Sequence, residues 1–238
     1  MLTPARRRGV EFLDDPNIDP DTRYRAQADV ARSNRLLGGL RAAIAEIQDV
    51  IEEIGGSPTL LDVGTGLADI PERAAATARR AGIALTTIGV DEATSLVVAA
   101  RGCVTHAVCA SAFALPFRDH SIDIVMCSQL LHHFDWTDGE CLVRELNRVA
   151  SHAVIVSDLR RSWIAAAGFW IVCIVLGFHP ITRHDGVLSV LRGFTAAELG
   201  RVVRSSIGVA PSVRRRLGYR LTARWIPPIA PPSARGVT

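Results

Sequence analysis

"LLDVGTGLADIP", residues 60–71, is the stretch on which the reading of this chain turns. An apolar run ends at Asp62, and a Gly-x-Gly turn, Gly64 to Gly66, follows at once. Two glycines let a backbone approach a ligand closely, because no side chain intervenes. A carboxylate at the end of the strand would face whatever lies over the turn. Taken alone, Asp62 also suits a helix-dipole partner and the glycines a plain turn. The neighbouring segments have to decide.

Downstream, strands and helices alternate. "TLLDVG" is a short buried strand and "DIPERAAATARRAG" a helix closed by Gly82. "LTTIGVD" and the helix "EATSLVVAARG" repeat the unit, and "VTHAVCAS", "IDIVMCSQ" and "HAVIVSDL" add three strands around the helix "DGECLVRELNRVA". Strands apolar on both faces and separated by helices predict a parallel sheet covered on both sides. "TAAELGRVVRSSI" is a further helix, with Thr195 as N-cap and Glu198 at the capping-box position. "SVRRRLGYRLTARW" supplies one or two closing strands. The expected architecture is α/β and doubly wound, with residues 57–226 as its core. Before it, residues 1–56 form an N-terminal segment, irregular to residue 20 and helical from Asp21 to about Ile54 with a break at Gly38-Gly39. Residues 160–190 are a long insertion, and 227–238 a Pro-rich tail without a core.

Composition narrows the function classes. The chain has 238 residues, 21% charged and 48% hydrophobic, as in an ordinary globular domain. Net charge is +3, and with no lysine present all 27 basic residues are arginine. They are scattered, with the densest runs at Arg6–Arg8 and Arg214–Arg216, so the distribution is not that of a nucleic-acid surface. Five cysteines, with no C-x-x-C pair, fit free thiols in a reducing, cytoplasmic setting and argue against a zinc site, so no metal is expected. The first residues are basic without an apolar stretch behind them, unlike a signal peptide. "WIAAAGFWIVCIVLGF", Trp163 to Phe178, is an unbroken apolar run of 16 residues. That is short of the about 20 that a spanning helix needs and suits a buried or interfacial helix, with peripheral membrane contact as the second reading.

Open sheets of this kind bind ligands at the carboxyl ends of their strands. Those ends carry, in order, Asp62 with Gly64 and Gly66, then Asp91, then Ser111-Ala112, then Ser128-Gln129 with His132-His133, then Asp158. A dinucleotide site would require G-x-G-x-x-G, whereas Asp69 stands at the third glycine's place and would repel a pyrophosphate. No G-K-[ST] follows, which excludes a P-loop. A nucleoside without phosphate fits better: Asp62 can accept from an ammonium and Asp91 from two ribose hydroxyls, although Asp91 also suits a local N-cap.

"LLDVGTGLADIP", "IGVDEA", "CASAFALPFRDHSIDIVMCSQLLHHF" and "LVRELNRVASHAVIVSDL" together resemble the class I S-adenosylmethionine-dependent methyltransferases, especially the branch of ubiquinone/menaquinone and small-molecule enzymes. The resemblance covers roughly residues 57–160. It implies a Rossmann-like seven-stranded sheet and S-adenosyl-L-methionine as cofactor. By that resemblance Asp62, Gly64 and Gly66 lie under the methionine part, and Asp91 binds the ribose. Ser111, Ala112 and Phe113 contact the adenine, and Gln129 and Leu130 form the loop beneath the sulfonium. The chain departs from the pattern in Ala68, at a third loop glycine, and in Ser111, at an aspartate that binds the adenine amine. The insertion at 160–190 falls where the family places a substrate lid.

The acceptor is read from what surrounds that site. Methyl transfer to a weak nucleophile needs alignment and removal of a proton. His133, His132 and, from the insertion, His184 beside Asp185 are the candidate bases. The other reading of each is a locally packed histidine, and for "HPITRHDGVLSV" a solvated loop. Trp163 and Trp170 of the apolar run, Arg183 after it, and Arg32 and Asn34 of the N-terminal helices are candidate acceptor contacts. An apolar lid points to a small hydrophobic aromatic substrate and away from nucleic acid, as does the absence of an N/D-P-P-Y/F loop. The expected reaction is O-methylation of a phenol, quinol or aromatic polyketide. C-methylation of a similar ring and cofactor binding without turnover are the alternatives. The sequence sets no oligomeric state.

Overall fold

A computed structural model describes residues 3–15 and 17–228, so the tail beyond Pro228 lies outside the described residues. Seven strands form one sheet: β1 (Thr59–Val63), β2 (Thr86–Asp91), β3 (His106–Cys109), β4 (Ile122–Ser128), β5 (Ala150–Leu159), β6 (Ser212–Arg216) and β7 (Arg220–Trp225). Their order is β3-β2-β1-β4-β5-β7-β6. The first five are parallel, and β7 enters antiparallel between β5 and β6. The order reverses between β1 and β4, so their carboxyl ends diverge and leave a crevice there.

Alternation along the central strands fixes the two helix layers. Leu60 of β1 and Ile124, Met126 and Ile155 of β4 and β5 meet α2 (Gly39–Ile54) and α3 (Asp69–Arg80). Leu61, Val63, Val125, Cys127, Val154 and Val156 point the other way, onto α5 (Trp136–Val149) and α8 (Ala196–Ile207). Between β2 and β3 runs α4 (Thr94–Ala100). Helix starts follow local chemistry: Asp19 caps α1 (Pro20–Leu36), with Pro20 in its first turn, and Thr195 with Glu198 forms the capping box of α8. Since α2 packs on the sheet itself, only α1 and residues 3–15 of the N-terminal segment reach over the strand ends.

The insertion is two helices, α6 (Trp163–Val175) and α7 (Pro180–Arg192). The loop reading of "HPITRHDGVLSV" is thereby corrected. Its His179-Pro180 pair starts α7, with proline preset for the first turn and the His179 side chain accepting from the Ile181 amide. Apolar periodicity missed this helix because three of its five buried positions are polar: Thr182, Asp185 and Arg192 face inward beside Val190 and Leu191. Residues 3–15 run as a strap across α7, tied by the Arg7 amide to the Leu191 carbonyl and by the Phe12 and Leu13 amides to the Asp185 carboxylate.

Candidate active site

A cavity of about 510 Å³ opens over the carboxyl ends of β1, β2 and β4. Its lining brings together Asp62, Gly64, Gly66, Asp91, Ser111, Ala112, Phe113, Gln129, Leu130, Asn34, His132 and His133. Arg32, Trp163, Trp170, Arg183 and His184 are not among the lining residues. Arg32 reaches the Leu176 carbonyl instead, at 3.5 Å, and lies over the Phe178 ring. His184 is half exposed, stacks on Phe12 at 4.8 Å and pairs with Asp185, whose carboxylate also holds the strap. Only Phe169 of α6 touches the cavity.

At the β1 end the turn is built for close approach. Gly64 and Gly66 have φ of 73° and 56°, and a Cβ on Gly64 would meet the Leu130 side chain at 3.0 Å. Ala68, at φ 61°, takes the same left-handed conformation with a methyl group attached. Asp62 is fully buried; Thr65 donates to Oδ2 at 2.9 Å, and Oδ1 has no partner among the described residues. Burial pushes its carboxyl up to about 7. Asp91 accepts from the Gly66 amide at 3.0 Å and the Ala93 amide at 2.9 Å, one on each oxygen. Its burial raises the carboxyl above its ordinary range, against those hydrogen bonds. Each oxygen keeps a lone pair for a further donor.

Under the cavity, three residues from distant parts of the chain lock together. Gln129, at φ 51°, donates to Asn34 at 2.5 Å and accepts from Arg220 at 2.6 Å. Arg220 also reaches Asn34 at 3.3 Å, and its Nε has no partner among the described residues. Burial brings this guanidinium down to about 10. Nothing in the sequence singles out Arg220, which sits in an arginine-rich closing strand indistinguishable from a solvated one.

The second polar centre follows β4, on a 3-10 turn at Leu131–His133. Asp158, at the end of β5, takes the His132 amide at 3.1 Å and Nδ1 at 2.7 Å. Although burial opposes it, the adjoining His132 holds the Asp158 carboxyl below its ordinary range. Asp158 is therefore ionised and keeps the proton on Nδ1, so the lone pair of the neutral ring is on Nε2. That nitrogen is buried and has no partner among the described residues, with Glu11 Oε1 no nearer than 3.9 Å. His133 gives Nδ1 to Asp14 at 2.9 Å and lies 3.8 Å from Glu11 through Nε2. Glu11 is buried, which raises its carboxyl, while Ser189 and Arg192 bind it at 2.8 and 3.3 Å. Ligand atoms of Glu11, His132 and His133 lie within 4.8 Å of one another, a grouping able to hold a divalent ion. The Arg192 guanidinium already supplies positive charge beside Glu11. Arg6 and Arg192 brace the turn through the carbonyls of His132, His133 and Phe134. Glu11 and Asp14 were missed because they lie in "EFLDDP", within a stretch that reads as irregular.

Residues 61–156 match a family model described as a methyltransferase domain. Solved structures share the fold. Magnesium protoporphyrin IX methyltransferase from Synechocystis PCC 6803, with bound SAH, aligns at a TM-score of 0.55 and 14% identity over 82% of this chain and 85% of its own. A SAM-dependent methyltransferase from Aquifex aeolicus gives 0.56 and 16%, over 89% of this chain and 100% of its own. The mitomycin 7-O-methyltransferase MmcR gives 0.63 and 15%, over 91% and 60%. No curated protein matches the chain. The cofactor these comparisons support is S-adenosylmethionine. The residues present suit it, with a glycine cradle, an unpaired buried carboxylate oxygen at Asp62 and an unpaired guanidinium nitrogen at Arg220. The matched segment, residues 61–156, lies on the sheet just described: it is a methyltransferase domain, and the chain shares the fold of S-adenosylmethionine-dependent methyltransferases.

Proposed function

We propose that the chain methylates a hydroxyl of a small hydrophobic aromatic acceptor: a phenol, quinol or aromatic polyketide. The observation that carries this reading is His132, a buried imidazole in the cavity's lining with an unpartnered Nε2 and a carboxylate behind it. S-adenosylmethionine supplies an electrophilic methyl on a sulfonium. The chain's own residues have to hold both reactants in line, keep water out and take one proton. In this reading Asp62 accepts from the cofactor's ammonium, Arg220 binds its carboxylate and Asp91 its ribose hydroxyls. Ser111, Ala112 and Phe113 flank the adenine, and Gln129 and Leu130 shape the floor beneath the sulfonium. The acceptor hydroxyl donates to His132 Nε2, and Asp158 stabilises the imidazolium that forms. His133 and Glu11 bound the same chamber and hold the acceptor's polar end, while Leu13, Phe134 and Phe169 offer it apolar surface.

Calorimetry with S-adenosylmethionine and its demethylated product should give micromolar binding, about −8 kcal/mol. Asp91→Ala should weaken it. Transfer of a labelled methyl group to a panel of phenols and quinols, with product NMR, then tests the chemistry. Label on oxygen is expected, with turnover unchanged by a chelator. Label on a ring carbon overturns the O-transfer reading, and tighter binding of NAD than of S-adenosylmethionine overturns the site assignment.

A further inference from the structure

Helix α6 is apolar throughout, yet among the described residues only one side of it is covered. Ala166 and Cys173 are buried and Phe169 lies against Gly186 of α7. On the opposite side Trp163, Ala167, Trp170 and Ile174 line up, with Ile164, Ile171 and Val175 beside them, all exposed. Trp163 and Trp170 are 51% and 49% exposed, and Val175 75%. No charged residue occurs between Trp163 and Phe178. The outer face of a surface helix ordinarily carries charges, and a contiguous apolar patch marks an interaction site.

What surrounds the patch selects its occupant. The Arg7 guanidinium stands over the Trp163 ring and Arg32 over Phe178, one at each end of the helix, with Arg8 exposed further along the strap. The acidic groups beside the helix are engaged inside the fold: Asp29 by the His179 amide and the Thr182 hydroxyl, Asp185 by the strap. The rim is therefore cationic, and cationic through guanidinium groups, which bind phosphate bidentately. A second copy docked here by a two-fold axis would set arginine rim against arginine rim. An anionic surface meets no such repulsion.

We propose that this face of α6 rests in the surface of an anionic lipid bilayer. The helix has 13 residues, about 20 Å of length, and no described helix is long and apolar enough to cross a membrane. It would lie in the interfacial plane, with tryptophans at the depth they favour and arginines among the phosphates. Its inner side reaches the cavity through Phe169, so a lipophilic acceptor can pass from the bilayer along the edge of α6. This placement stands whether the methyl group goes to oxygen or to carbon.

Co-flotation with vesicles of phosphatidylcholine alone, and of phosphatidylcholine mixed with phosphatidylglycerol, tests it on the full chain. The wild type should float with the mixed vesicles, less so in high salt. Ile171→Glu with Ile174→Glu should reduce that partition by about tenfold or more, with affinity for the demethylated cofactor unchanged. Failure to float with mixed vesicles overturns the proposal, as does equal flotation of the double variant. So does a wild type that is dimeric in solution and becomes monomeric in that variant, because the occupant is then a second copy.

Discussion

His132 and His133 are neighbours in sequence but differ in what the fold has done with them. Asp158 grips the amide and Nδ1 of His132, which fixes both the tautomer and the direction of Nε2. His133 is partly open and leans on Asp14, itself at the surface. The sequence favoured His133 by position alone, and no single-chain pattern announces that Asp158, 26 residues on, reaches back. His132→Ala should lower turnover by about a hundredfold or more and leave cofactor affinity nearly unchanged, because the loss falls on the proton-transfer step. The deficit should shrink for acceptors with more acidic hydroxyls. A full turnover rate in steady-state assays of His132→Ala would remove the base role. Asp62, Asp91 and the two loop glycines, by contrast, were legible, because strand end and turn chemistry are local.

At the scale of elements, helices with one apolar face read cleanly, and α8 even showed its cap. The α6–α7 pair did not, since α6 is apolar all round and α7 turns polar residues inward. Their contact depends on Gly186, where a Cβ would run into the Phe169 ring. A glycine inside an exposed helix costs about 1 kcal/mol against alanine. Gly186→Ala should do the reverse of that rule and destabilise the protein by about 1–3 kcal/mol through overpacking. Thermal melts should show a lower midpoint, partly restored when Phe169→Ala is added. A raised midpoint for the single variant would mean that the two helices do not pack in this way.

For the whole molecule, the alternation of strands and helices was enough to read the doubly wound sheet. The strap was not legible, because its order comes from side-chain partners on α7 and not from any periodicity of its own. The buried carboxyl at the β1 end sets a pH dependence of global stability. With the Asp62 pKa raised to about 7 from 3.8, the unfolded chain ionises first. Between about pH 4 and 7 unfolding releases a proton, and stability falls as pH rises, by up to a few kcal/mol. Melting curves of the cofactor-free protein across that window should slope downward more steeply than those of Asp62→Asn. Equal slopes would place the carboxyl elsewhere. The lock of Asn34, Gln129 and Arg220 has a further consequence, for synthesis on the ribosome. Asn34, Gln129 and Arg220 emerge in that order, and β7 pairs with β5 only after residue 220 is free. Until then the nascent chain can form the β1–β4 half of the sheet with its glycine turn, but the floor of the pocket lacks its guanidinium. With Arg220 in its proposed role toward the cofactor's carboxylate, capture waits until β7 has emerged.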